Sequence, residues 1–268
     1  MCPGRADGYA ASGRSARRLP VVAIDGPAGS GKSTVARRVA AVLGFVYLDT
    51  GAMYRAVTWA ACQAGLFRAD GRPDPEAVTF LAETADIAFR HEADGAQGVL
   101  LNGEEVTSEI RGPEVERLVP RVASVPGVRQ AMIPRQRRLA RCGGIVVDGR
   151  DIGTAVLPDA DHKFFVTAAF EVRVERRHRQ LTRQVPGLDP EQVAADLRAR
   201  DTLDQTRSEG PLRCADDAVV LDTTALTIEE VVGRIVEACG GGQGDAALAV
   251  GLLGGRGHSA ADSEAGGP

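Results

Sequence analysis

The chain has 268 residues, a net charge of −4 and 44% hydrophobic residues, long enough for one sizeable core carrying a smaller insert and too short for two large unrelated domains. No apolar run reaches the roughly 18 residues that a membrane span needs, and no basic stripe studded with aromatics offers a nucleic-acid surface, so neither a membrane nor a nucleic acid is expected as a partner. The five cysteines are scattered and never form CxxC, which argues against a disulfide framework or a zinc site and for a cytoplasmic location.

Residues 1–18 are small, polar and basic without an apolar stretch, and are read as a disordered leader. Val21 to Asp25 reads as a strand, followed by a Gly-rich turn and a helix from Lys32 to Leu43. A second unit repeats this pattern, with a strand from Phe45 to Asp49 and a helix from Ala52 to Ala64. The rhythm breaks from about Leu66 to Arg111, where Asp86 to His91, Gly98 to Leu101 and Glu104 to Val106 look like short strands. The last two are joined by Asn102-Gly103, which suits a two-residue hairpin turn. A helical continuation over Pro113 to Ala140 leads back to core strands at Ile145 to Asp148, Lys163 to Thr167 and Val219 to Asp222. Two Arg-rich helices, Glu171 to Arg183 and Glu191 to Thr206, flank Val185-Pro186-Gly187 and could close over a ligand. Residues 240–268 are rich in Gly, Ala, Ser and Asp and read as a disordered tail. The expectation is an α/β fold with a parallel sheet flanked by helices: a core over 19–65 and 141–239 including a short helical lid at about 171–190, and a small antiparallel insert within 66–140.

The stretch Gly26-Pro27-Ala28-Gly29-Ser30-Gly31-Lys32-Ser33 is a phosphate-binding loop in its proper place between a strand and a helix. Glycines let successive backbone N–H groups turn towards phosphate oxygens, and the helix adds its positive end. Lys32 is expected to reach the β- and γ-phosphates of a nucleoside triphosphate, with the Ser33 hydroxyl on Mg²⁺, partly through the phosphates. Of 32 basic residues only Lys32 and Lys163 are lysine, so in a chain this biased towards arginine the loop lysine stands out. A GTPase would need a guanine-reading Asn-Lys-x-Asp, yet Asn102 is the sole asparagine. A motor-type ATPase would be expected to end a core strand in Asp-Glu, whereas Asp148 is followed by Gly149. Transfer to a small bound acceptor fits better.

A phosphate-bearing acceptor brings about two negative charges, and its site needs cations beyond the loop. Arginines recur where loops leave core strands or meet the closing region, at Arg55, Arg129, Arg150, Arg173, Arg176, Arg177, Arg200 and Arg207. Their planar forks grip phosphate through paired hydrogen bonds. Most arginines in such a chain are solvated or ion-paired; position singles out Arg150, after a buried-looking strand in Asp148-Gly149-Arg150-Asp151, and Arg55, one turn into the helix that follows Asp49. On the residues alone, a sugar or sugar-acid kinase and a nucleotide-binding regulator without turnover stay open.

Taken together, IDGPAGSGKST (24–34), LDTGAMYR (48–55), VTSEIR (106–111), VDGRDIGTAVLPDA (147–160), ARD (199–201), Asp204 with Arg207, and DDAVVLDTT (216–224) resemble the bacterial cytidylate (CMP) kinases of the P-loop nucleoside monophosphate kinases. The likeness runs from about Val21 to Ala238. It implies the P-loop NMP-kinase fold, with the antiparallel insert as the NMP-binding part, and phosphorylation of CMP and dCMP by ATP with Mg²⁺, by a monomer. By motif, Gly26 to Thr34 would hold ATP, Thr50, Arg55 and Arg150 the acceptor's phosphate, Asp151 and Arg129 the cytosine, and Asp204 and Arg207 the sugar. Arg200 would assist near the phosphates, Arg176 and Arg177 would belong to the lid, and Lys32, Arg150, Arg176, Arg200 and Arg207 would carry catalysis. One departure stands out: Pro120 occupies the place where the family usually has a base-contacting serine, and proline supplies no side-chain donor and tends to kink a helix.

Overall fold

In the computed structural model, residues 18–91, 97–183 and 187–240 are described. The expected leader up to residue 17, the tail from residue 241 and Val185-Pro186 of the lid turn lie outside them.

Five strands, β1 (Val21–Asp25), β2 (Val46–Asp49), β6 (Ile145–Asp148), β7 (His162–Thr167) and β8 (Val219–Asp222), form one parallel sheet in the order β2-β6-β1-β7-β8. The central strands β1 and β6 are buried along their whole length, as expected for parallel strands covered on both faces. Val22, Ile24, Val146, Phe164 and Val166 pack under α1 (Lys32–Leu43) and α8 (Ile228–Ala238). Each such fully buried side chain contributes roughly 1.5–3 kcal/mol. The order places β1 between strands reached by crossovers in opposite directions, and a parallel sheet binds its ligands at the carboxyl ends of such strands. There β1, β2 and β6 all end in aspartate, at Asp25, Asp49 and Asp148.

The second sheet is antiparallel and consists of β3 (Ile87–His91), β4 (Gln97–Leu101) and β5 (Glu104–Glu105). Asn102 and Gly103 both adopt positive φ, 53° and 85°, the pair a type I′ hairpin turn requires. The strands fall within about a residue of their expected ends. Two features of this region were not expected. Residues 75–84 form a helix, α3 (Pro75–Thr84), whose first turn is capped by Asp74. The helical stretch after it is also broken into α4 (Pro113–Ala123) and α5 (Pro126–Ala140). The break has a local cause: the ring of Pro126 drives Val125 into extended backbone, φ −73° and ψ 119°, which ends a helix.

One side chain ties the small sheet to the core. Gln97, buried at the start of β4, accepts from the Asp49 N–H at 3.1 Å and donates to the Tyr47 carbonyl at 2.8 Å, so the insert holds the edge strand β2 where α2 (Thr50–Gln63) begins. On the far side, α6 (Phe170–Thr182) and α7 (Pro190–Thr206) pack against each other and carry Arg173, Arg176, Arg177 and Arg200.

Candidate active site

The donor loop leaves β1 at Gly26. This residue has φ 151°, and a Cβ there would lie 2.0 Å from the Val166 carbonyl oxygen, so only glycine fits. Helix α1 then opens on Gly31 with no side-chain cap, leaving its first N–H groups free for an anion. Lys32 is 6% exposed and its Nζ lies 3.4 Å from the Pro27 carbonyl. Burial first, then the neighbouring Arg150, push its pKa down to about 7. Beside it Asp148 is pushed up, by burial and by Asp49, against the opposing pull of Lys32 and the Ser33 hydroxyl. Arg173 and Arg176 brace the loop from outside. Arg173 donates to the Ala28 carbonyl at 3.1 Å and to Asp201 at 2.7 Å, and Arg176 to the Ser30 carbonyl at 3.3 Å and the Thr223 carbonyl at 2.7 Å.

One cavity joins this loop to the ends of β2 and β6. Lys32 and Ser33 line it on the donor side, and Thr50, Arg55 and Arg150 face it from the strand ends. Arg129, Asp151, Arg200, Asp204 and Arg207 complete the opposite wall. Arg176 and Arg177 do not line it; the first is held at the Ser30 and Thr223 carbonyls and the second against Glu116 of α4. The Thr50 hydroxyl donates to the Asp148 carbonyl at 2.7 Å. Asp49 caps α2 through the Ala52 N–H and also accepts from Arg55 at 2.5 Å, so one carboxylate fixes both the helix start and the guanidinium that leans into the cavity.

The far wall is a chain of ion pairs running Arg129–Asp151–Arg207–Asp204–Arg150. Arg129, only 1% exposed, donates to Asp151. Arg207 reaches the other oxygen of Asp151 at 3.1 Å and lies 3.6 Å from Asp204. Arg150 donates to Asp204 at 3.0 Å. Burial raises the pKa of Asp151, chiefly against the pull of Arg129 and Arg207, whereas the three arginines around Asp204 outweigh burial and lower its pKa. The ring of Tyr54 lies beneath Arg129, 5.6 Å from its guanidinium carbon, and Val119, Pro120 and Ala123 add an apolar flank. Such a slot offers a planar ring an apolar side and hydrogen-bonding edges.

A family model described as Cytidylate kinase matches residues 22–240. The chain belongs to the cytidylate kinase family. It is 49% identical over 222 residues to the cytidylate kinase of Geobacillus kaustophilus strain HTA426, covering 82% of this chain and 96% of that protein. It is 47% identical over 219 residues to the cytidylate kinase of Carboxydothermus hydrogenoformans, covering 82% and 96%. It is also 48% identical over 221 residues to a bifunctional pantoate ligase/cytidylate kinase of Synechococcus sp. strain JA-3-3Ab, covering 82% of this chain but only 40% of the length of that relative. The family, the fold and the cytidylate kinase assignment read from the sequence are borne out, and a sugar or sugar-acid acceptor is not favoured.

Three residues of this candidate site have no counterpart among the residues singled out from the sequence. Asp25 accepts from the N–H groups of Ile152 at 2.8 Å and Gly153 at 2.7 Å, fixing the single π-type turn Ile152–Val156 that follows Asp151. Burial brings its pKa up to about 6 against those two hydrogen bonds. Gly210 has φ 55°, and a Cβ there would meet Asp151 Oδ2 at 2.1 Å and Arg129 Nη2 at 2.5 Å. The third is Glu116 on α4, beside Arg55, Arg177 and Arg200. A strand-end aspartate is a usable signal for Asp25. Gly210 lies in a stretch without pattern, and Glu116 is one of two acidic residues in the first turn of a helix, with nothing local to single it out.

Proposed function

We propose that this chain transfers the γ-phosphoryl group of ATP in line to CMP and dCMP, giving CDP and dCDP. The observation that carries this reading is one cavity lined both by the loop lysine Lys32 and by the Arg129–Asp151–Arg207 chain of ion pairs. Gly26 to Thr34 would wrap the triphosphate, and Arg55, Arg150 and Thr50 the acceptor's phosphate. Asp204 and Arg207 would hold the sugar, and Arg200 would stand near the phosphates. Arg176, through the loop carbonyl it holds, acts here as a support of the donor site. The core would comprise 19–65 and 141–239, the NMP-binding insert 66–140, and the lid about 171–190.

Cytosine presents an exocyclic amine to the Asp151 carboxylate, while its O2 and N3 accept from arginine. Uracil would set a carbonyl oxygen against that carboxylate and leave a buried group unpaired. Transfer itself needs positioning and charge stabilisation more than a base, because the acceptor's oxygen is already ionised. The residues present fit Mg²⁺: the Ser33 hydroxyl and the Asp148 carboxylate are hard oxygen donors, and among the described residues no cluster of three His, Cys, Asp or Glu forms a closed cage. Ser33 would ligate the ion and Asp148 would orient its water. Bound there, Mg²⁺ supplies neutralisation of the phosphate charge.

We place the protein in the cytoplasm as a monomer; among the described residues no helix is long and apolar enough to cross a membrane. Steady-state assays with MgATP against CMP, dCMP, UMP and AMP test the reading: CMP and dCMP should be preferred, and equal or greater turnover of AMP would refute it.

A further inference from the structure

Glu116 sits in the first turn of α4, is four-fifths buried as a side chain, and is surrounded by cations from three other helices. It accepts from Arg177 of α6 at 2.9 Å and from Arg200 of α7 at 3.3 Å, and its other oxygen lies 3.9 Å from Nε of Arg55 on α2. Burial alone would raise its pKa, but Arg200, then Arg55 and Arg177, outweigh burial and bring it down to about 2, so the group is an anion at any working pH. Glu116 does not line the cavity, whereas Arg55 and Arg200 do. The carboxylate therefore stands behind these two guanidiniums. A guanidinium has five N–H donors in a rigid plane; holding one edge from behind fixes the direction in which the other edge points. Arg55 is hydrogen-bonded by Asp49; its Nε makes no hydrogen bond and feels Glu116 as a charge 3.9 Å away. Arg200 is repelled by Arg150 and finds its largest favourable neighbour in Glu116.

Building on the phosphoryl-transfer reading, we propose that Glu116 is a positioning residue for the acceptor's phosphate: it aims Arg55 and Arg200 into the cavity and, through Arg177, ties the insert helix α4 to the lid helix α6. The acceptor's phosphate meets two guanidiniums already oriented, and no bond to Glu116 has to break for it to bind. Pro120 lies four residues on within the same continuous helix and lacks the N–H that would bond the Glu116 carbonyl.

The test compares Glu116→Ala, Glu116→Gln and, as a control on the exposed side of the same helix, Glu114→Ala, measuring kcat and the KM for CMP and for MgATP separately. Loss of an aligned charged hydrogen bond predicts a KM for CMP about tenfold higher in Glu116→Ala, with the KM for MgATP within about twofold of wild type. Glu116→Gln, which keeps an acceptor but no charge, should fall between, at about threefold. Glu114→Ala should match wild type. A KM for CMP unchanged in Glu116→Ala overturns the inference, as does a parallel rise in both KM values, which marks a general loss of structure. If the alanine variant fails to fold, a wild-type KM for CMP in Glu116→Gln overturns it. Wild-type protein inactive on CMP would refute the functional reading itself. In that case thermal stabilisation by CMP decides the inference: it should be weakened in Glu116→Ala and kept in Glu114→Ala.

Discussion

Replacing Asp151 with asparagine changes the base-facing acceptor while keeping its shape. Deleting the side chain would confound the experiment, because Arg129 and Arg207 would lose their shared carboxylate in a buried site, and breaking such a pair costs about 3–5 kcal/mol of stability. The amide keeps one oxygen for Arg129 or Arg207 and turns an NH2 group towards the other or towards the base. A charged acceptor holding the cytosine amine is worth about 1.5–3 kcal/mol and a neutral one about 0.5–1.5 kcal/mol, so CMP should lose about 1–2 kcal/mol, or roughly five- to thirtyfold in kcat/KM. UMP moves the other way, since its O4 would meet a donor in place of an anion. The assay is the ratio of kcat/KM for CMP to that for UMP, with melting temperature measured alongside to show that the fold persists. The ratio should fall by at least about tenfold; an unchanged ratio in a folded variant would refute the placing of cytosine against Asp151.

Three further outcomes follow from the geometry. Burial and Arg150 hold Lys32 down to about 7, and triphosphate oxygens favour its charged form, so ATP binding should take up more protons at pH 8 than at pH 6. Calorimetry in buffers of different ionisation enthalpy reads this, and equal uptake at both pH values contradicts it; Lys32→Ala should abolish both the uptake and phosphoryl transfer while CMP still binds. Gly210→Ala would place a methyl 2.1 Å from Asp151 Oδ2 at φ 55°, so the KM for CMP should rise at least about tenfold as Asp151 and Arg129 shift, on top of about 1–2 kcal/mol of backbone strain; a wild-type KM would show that the pair is not needed in place. Gln97→Leu removes both hydrogen bonds to β2 and leaves a buried N–H and carbonyl unpaired, which costs about 2 kcal/mol or more. Its melting temperature should drop by several degrees, and an unchanged value would mean that the insert is anchored elsewhere.

The alternation of strand and helix was legible because β1 and β6 are short apolar runs bounded by Gly or Pro, and a buried parallel strand carries such an apolar run wherever it lies in the sheet. The donor loop was legible for a related reason: glycines at fixed spacing answer a local backbone requirement. Helix α3 was overlooked although Asp74 and Pro75 mark its start, because the Leu66 to Arg111 segment was read through its hairpin. The split between α4 and α5 was missed because Pro126 permits a helix to begin as readily as it ends the one before. The arginines were legible one by one, but their partners were not. Asp204 and Arg207 are one turn apart, whereas Asp151 and Arg129, or Glu116 and Arg200, meet only when the sheet and three helices have packed, and no local pattern encodes that.

Those partners change what the cluster of arginines means. Arg55 is held by Asp49, Arg129 by Asp151, Arg150 by Asp204, Arg207 by both Asp151 and Asp204, and Arg200 by Glu116. A wall of bare guanidiniums would repel itself and would have to be reorganised by each substrate that entered. With four carboxylates shared among these five arginines, much of the positive charge is offset and the guanidiniums are fixed in direction, so that, on the proposed function, an incoming phosphate would find donors already aimed at it. Electrostatic stabilisation of a transferring phosphoryl group depends on such fixed dipoles, because reorienting donors during the reaction would consume the energy they supply. On this view the aspartates at the ends of β1, β2 and β6 act as positioning groups. Asp25 fixes the turn that presents Asp151, Asp49 fixes Arg55, and the Asp148 carbonyl fixes Thr50, so the sheet itself sets the distance between the donor loop and the acceptor wall.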